Sequence, residues 1–453
     1  MKNINKEETK VFLGGVFRLS LPIVVQNLLS AAVNSADVVM LNSVGQSAIA
    51  SVSLAAQFSQ ILFMFFYGMG TGVTMLSAQY WGKKDIHAIE LVQGIALRFS
   101  VAISCIFALL ALFLPQVVMN IFTNDPELIV LGISYLRIVS FSYLFCSISE
   151  VYLASLRSVE RVTISTLLNV VAFGLNILLN AVFIFGLFGA PKLGVAGVAL
   201  ATSISRGIQL AGCILVSWRS KDVKLRFSYI FRKNKVLFQD FVRLSLPAVA
   251  NDVIWSSAFS VYSAILGHLG SDMVAANSIV VVVRNFATVF CFGLASASSI
   301  WIGKQIGEGN KEKAKKDGRR FLGLTIATAA VGGVFILLIS PLILKYASLT
   351  EQAMAYMKVM LLINSYYVIG AAINTTLIAG VFRAGGDSSF GLKCDTIDMW
   401  CYAVPLGLIS AFVLKLPPLV VYFLLCTDEF VKIPWVLKRF HSNKWLNDVT
   451  KEY

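Results

Sequence analysis

Asp37, Asn176, Asn180 and Thr202 are the residues of this chain whose types and spacing could do chemistry. Each lies inside a long apolar run, where a polar side chain is costly and so marks a functional site by default. Asp37 follows Arg18 by 19 residues, roughly 28 Å along a helix, and precedes a turn at Gly45 by eight. Asn180 stands equally far from Arg161, and Asn176 precedes it by four, so the two amides share a helix face. Thr202 sits eight residues inside a turn at Gly194. One carboxylate, two amides and one hydroxyl thus reach a common depth on three helices. Oxygens of this kind suit a hard cation such as Na⁺, and a buried carboxylate equally suits a proton. A polar cluster that only packs helices would have the same spacing.

Asp252 and Arg284 make a second candidate. Asp252 lies about 14 Å along its helix from Arg243, and Arg284 about 18 Å from Asp272. These depths meet across a hydrocarbon core about 30 Å thick. A buried ion pair is expected, either structural or in contact with a substrate or gate. Glu150 and Arg157 read as a local pair at a helix end.

Such positions require helices that cross a bilayer, and the composition supplies them. Of 453 residues, 57% are apolar and 14% charged, with a mean hydropathy of +0.77; soluble proteins carry about 25% charged residues. A soluble enzyme is excluded. Apolar runs fall near 17–43, 47–80, 89–115, 128–155, 163–187 and 194–217. Six more fall near 242–267, 273–303, 320–344, 353–379, 395–414 and 417–437. The net charge of +14 concentrates in loops after even-numbered runs: Lys83 and Lys84, Arg157 with Arg161, Arg219 to Lys235, and Lys304 to Arg320. That asymmetry places both termini in the cytoplasm of a cell (plasma) membrane protein and argues against nucleic acid as partner. The seven cysteines form no CxxC pair, and no metal-binding spacing occurs.

The sequence repeats itself. RLSLP occurs at 18–22 and again at 243–247, an offset of 225 residues that also carries Gly45 to Gly270 and Gly68 to Gly293. Each half holds six runs, so both enter from the same face, as in transporters with a site between parallel repeats. The expected fold is an all-α polytopic membrane protein, with twelve transmembrane helices in two parallel six-helix repeats around a central cleft. Its expected parts are an N-terminal lobe (1–217), a basic cytoplasmic linker (218–240), a C-terminal lobe (241–437) and a cytoplasmic tail (438–453). No Walker A loop, GxGxxG, HExxH or GxSxG motif is present. The reading is a non-enzyme without cofactor, driven by a gradient already stored across the membrane.

The chain resembles the MATE (multidrug and toxic compound extrusion) family of secondary transporters. The resemblance rests on Pro22 with Asp37 fifteen residues on, NILLNAVFIFG at 176–186, GVAGVALAT at 194–202, FRAGGD at 382–387, and Trp400 followed by Pro405. It implies a monomer built as a V-shaped pair of bundles among membrane lipids. It implies export of organic cations or amphiphiles in exchange for H⁺ or Na⁺. It also implies that Asp37 is the cation-binding aspartate, with Asn176, Asn180 and Thr202 as partners. Position 180 is often acidic in the family and is Asn here, which removes one charge. The glutamate of span seven in some subfamilies is Trp255 here. A flippase-like transporter of lipid-linked or polar metabolites, or a non-transporting receptor or scaffold, would share much of this pattern.

Overall fold

The computed structural model describes residues 2–451 except Lys221, Lys233 and Ser348; the side chains of residues 2–6 and of Asn34, Ser35, Asp37, Val38 and Asn42 lie outside the described residues. Apolar runs of this length form helices because nothing in hydrocarbon can pair a bare backbone, whereas a helix pairs its own N–H and C=O groups. The first half comprises α1 (Lys2–Asn42), α2 (Gln46–Gly82), α3 (Ile86–Phe113), α4 (Pro115–Phe122), α5 (Pro126–Ser158), α6 (Val162–Phe185) and α7 (Val195–Arg219). The second begins with α8 (Lys235–His268), α9 (Ser271–Gly307), α10 (Lys311–Tyr346) and α11 (Glu351–Thr375), which runs into a π-helical segment, Thr376–Phe382. After α12 (Ser388–Asp395) come π-helical Thr396–Ala403, α13 (Val404–Leu408) and π-helical Ile409–Val413. The chain ends in three short pieces, α14 (Pro418–Leu425), α15 (Asp428–Val431) and α16 (Ile433–His441). Among the described residues, ten helices are long and apolar enough to cross a membrane. The other two expected runs are α8, which carries Asp240, Arg243 and Asp252, and the broken stretch α14–α16.

The repeat is visible in the backbone. Gly45 and Gly270, 225 residues apart, precede α2 and α9 with φ of 137° and 119°, values that only glycine adopts without strain. The chain divides into two compact units, one of Val25–Ser245 with Lys451–Tyr453 and one of Met1–Val24 with Leu246–Thr450. The divisions fall inside α1 and α8, beside Pro22 and Pro247, rather than within the 218–240 linker. Proline removes one helical hydrogen bond, which weakens the helix where the division falls.

The first unit is built around Phe58, Leu62, Met119, Leu136 and Tyr143. The described residues of its linker strap α3. Arg98 Nε donates to the Ile230 carbonyl at 2.8 Å, and Arg226 pairs with the buried Glu90 at 2.6 Å. The second unit packs around Ile265, Met273, Val280, Met357, Met360 and Leu425. Start of α1 included, Phe12 meets Trp301 and Phe321 edge-on. Gly333 lets α10 approach α11 closely: a Cβ there would lie 2.2 Å from the Ser365 carbonyl oxygen. Close approach through small residues is how membrane helices gain contact where lipid offers no hydrophobic drive. In the tail, Trp445 is fully buried and stacked on Phe440.

Candidate functional site

Three of the four residues expected at the ion site come together in the first unit. Asn176 and Asn180 project from α6 toward α7 because helical spacing puts i and i+4 on one face. Asn180 Nδ2 donates to Asn176 Oδ1 at 3.2 Å, and Asn176 Nδ2 donates to Thr202 Oγ1 at 3.2 Å. The Thr202 hydroxyl donates in turn to the Val198 carbonyl at 3.0 Å. Asn180 is 0% exposed, so these dipoles act where water does not screen them. The side chain of Asp37 lies outside the described residues; its position on the chain is within α1.

The same helix faces carry a second polar group. Asn169 Oδ1 accepts from Gln209 Nε2 at 2.8 Å, and Gln209 Oε1 accepts from Arg206 Nη1 at 2.9 Å. Arg206 lies 3.8 Å from Glu150 and over the rings of Phe63 and Phe173. Glu150 thus makes its ion pair with Arg206 and not with Arg157, which donates to Ser165 Oγ at 3.4 Å and feels Glu150 only through space. Asn169, Asn176 and Asn180 on α6, with Thr202, Arg206 and Gln209 on α7, give two facing polar stripes in an otherwise apolar bundle.

In the second unit the expected pairing of Asp252 with Arg284 is overturned. Asp252 Oδ1 accepts from Arg383 Nη2 at 2.7 Å, and the same nitrogen reaches Asn251 Oδ1 at 3.2 Å. Arg284 lies over the rings of Phe259 and Tyr367, at 5.6 and 5.5 Å, and makes no ion pair among the described residues. The reason is rotational: axial depth fixes one coordinate of a side chain, whereas its direction around the helix selects the neighbour. Arg284, Tyr262, Tyr367 and Tyr422 line a small, partly open cavity within this unit.

The sequence reading missed the densest charge in the molecule. Asp395, Asp398, Asp428 and Glu429 gather near Lys432, and none of the five is more than 4% exposed. The signal was present: Asp428, Glu429 and Lys432 fall in the last apolar run, and Asp395 and Asp398 are three apart at the start of the one before. Window-averaged hydropathy hid them.

Comparison with known proteins accords with this architecture. The MatE family model matches residues 22–182 and again 247–409, starting at the two equivalent prolines and covering more than half the chain. A probable multidrug resistance protein NorM of Rhizobium meliloti is 27% identical over 413 residues, covering 86% of each chain. A NorM of Thermotoga maritima, also a probable multidrug resistance protein, is 23% identical over 97% of this chain and 94% of its own. The solved outward-facing conformation of a multidrug resistance MATE family transporter of the MOP superfamily superposes with a TM-score of 0.84. It is 20% identical and covers 95% of this chain and 96% of its own. A MOP superfamily transporter from Pyrococcus furiosus gives the same TM-score, identity and coverage. The match of the family model to both halves, on an all-helical polytopic fold, makes this chain a member of the MatE family of membrane transporters.

Proposed function

We propose that the protein is a cation-coupled antiporter that exports organic cations or amphiphilic drugs and metabolites by alternating access. The observation that carries this reading is the buried Asn180–Asn176–Thr202 chain of hydrogen bonds across α6 and α7, at the depth the sequence assigns to Asp37. The multidrug resistance names of its relatives support the substrate class. Asp37 binds the coupling ion in this reading, and Asn176, Asn180 and Thr202 solvate it. With one carboxylate instead of two, H⁺ suits the site better than Na⁺, which gains from additional anionic oxygen. Binding removes a negative charge from a low-dielectric lobe, and the helices repack around the neutral form. The protein works as a monomer without a cofactor, and it catalyses no covalent step.

The test is substrate efflux from reconstituted vesicles over a panel of cationic dyes and metabolites, with ΔpH and Na⁺ gradients imposed separately. Export of at least one cationic compound driven by ΔpH is expected. Flux indifferent to both gradients would end the antiport reading, and no flux at all would favour a receptor or scaffold.

The Lys/Arg asymmetry places both termini and the loops at 81–88, 218–240 and 304–320 on the cytoplasmic side of the plasma membrane. Single cysteines replacing the exposed Lys83 or Lys313, in a chain freed of its own seven, should resist impermeant thiol reagents applied to intact cells. Labelling from outside would invert the topology.

A further inference from the structure

In the second unit, four carboxylates share a single lysine. Lys432 Nζ lies 3.3 Å from Asp395 Oδ1, 3.3 Å from Glu429 Oε2 and 3.7 Å from Asp398 Oδ2. Asp428 completes the group, accepting from the Glu429 amide at 2.7 Å and from the Tyr262 hydroxyl at 3.2 Å. Of the arginines in this unit, Arg284 reaches Asp428 only through space and Arg383 reaches Asp395 only through Asn251, so neither is ion-paired to the four carboxylates. Arg383 is held by Asp252 at 2.7 Å, and Arg284 is stacked on Phe259 and Tyr367. Cys394, Cys426 and Tyr367 also face the cluster, and none of them supplies a positive charge.

Hydrogen-bond accounting shows the same excess independently. Neither oxygen of Asp398 has a hydrogen-bond donor among the described residues. Asn374, 2% exposed, turns its amide into the cluster: Nδ2 donates to Glu429 Oε2 at 2.7 Å and to the Glu429 carbonyl at 2.6 Å. Its Oδ1 is left without a donor. Buried acceptors without donors are rare in folded proteins, and here they adjoin a surplus of carboxylates. A metal ion would not correct this, because an ammonium already stands among three of the carboxylates. Among the described residues no group of acidic, His or Cys side chains is disposed to hold a metal. What the cluster lacks is hydrogen, since a protonated carboxyl both removes a charge and becomes a donor.

We propose that Asp395, Asp398, Asp428 and Glu429, arranged around Lys432, form a proton-binding site of the C-terminal unit. Loading makes one O–H bond on a carboxylate oxygen, with the proton drawn from water, and release returns it to water. Tyr262 connects the site to the cavity, since its ring lines that space while its hydroxyl rests on Asp428. Asp398 lies on the π-helical turn Thr396–Ala403, and Asp428 to Lys432 lie at the break between α14 and α16. Interruptions of this kind recur at functional sites because they free side chains and backbone from the regular ladder.

The test is infrared difference spectroscopy of the purified full-length protein at neutral pH, in H₂O and D₂O. It is carried out in an Asp37→Asn background, which removes the ion-site carboxylate of the preceding reading. A C=O stretch of a protonated carboxylic acid, shifted in D₂O, is expected to persist there and to shrink or vanish in Asp398→Asn and Glu429→Gln. Absence of the band in the Asp37→Asn background overturns the proposal even if the cluster variants fail to fold. A band that neither cluster variant alters overturns it too. The spectrum requires no transport, so loss of the band and loss of gradient-driven export are separate outcomes.

Discussion

Vesicles carrying Asp37→Asn are expected to export no substrate above the protein-free background, under either an imposed ΔpH or an imposed Na⁺ gradient. The side chains assigned with it, Asn176, Asn180 and Thr202, are neutral at every pH at which the protein folds. Any change of charge on ion binding therefore falls on the carboxylate. Moving a two-state equilibrium from one side to the other takes about 5.5 kcal/mol of differential affinity. Burying an uncompensated ion costs several kcal/mol even after the surroundings relax. One protonation is thus of the right size to reverse the preference between two states, and loss of the titratable group leaves nothing to reverse it. Asparagine occupies the same space and keeps a polar side chain, so the variant should be produced and should melt like wild type. Asn180→Asp should raise the response to Na⁺, because it adds an anionic oxygen next to Asn176. Wild-type rates for Asp37→Asn under both gradients would place the ion site elsewhere.

The helices, their number within the membrane and their repeat were readable from the sequence, because hydrocarbon enforces one local solution on every long apolar run. The repeat was readable because RLSLP and the turn glycines kept their spacing, and positive φ recurs at Gly45 and Gly270. The Asn176–Asn180–Thr202 contact was readable for a related reason: adjacent helices joined by a short turn leave few choices of facing. Side-chain partners across distant helices were not. Asp252 and Arg284 agreed in depth, yet their directions around α8 and α9 lead to different neighbours. The charged break in the last span was also missed, since Asp428, Glu429 and Lys432 are embedded in residues apolar enough to outweigh them in any average. Buried charges gathered from separate helices leave no periodic trace, and only their cost in isolation gives them away.

That cost gives the second large effect, at Arg383. It is 3% exposed and pairs with Asp252 at 2.7 Å, with Asn251 as a further acceptor. Arg383→Gln removes the cation and leaves an aspartate inside the unit with no compensating charge. Breaking a buried pair from one side costs about 3–5 kcal/mol, and the 24% exposure of the Asp252 side chain favours the lower end. Replacing both partners removes the orphaned charge along with the attraction, so Arg383→Gln with Asp252→Asn should recover most of the loss. Measured as melting in detergent, the cycle should be strongly non-additive. The parallel cycle of Asp252→Asn with Arg284→Gln should be additive to within about 0.5 kcal/mol, since Arg284 is held by aromatic rings and not by that carboxylate. Additivity in the first cycle and coupling in the second would restore the pairing that depth alone suggested, and with it a different rotation of α8 in the unit.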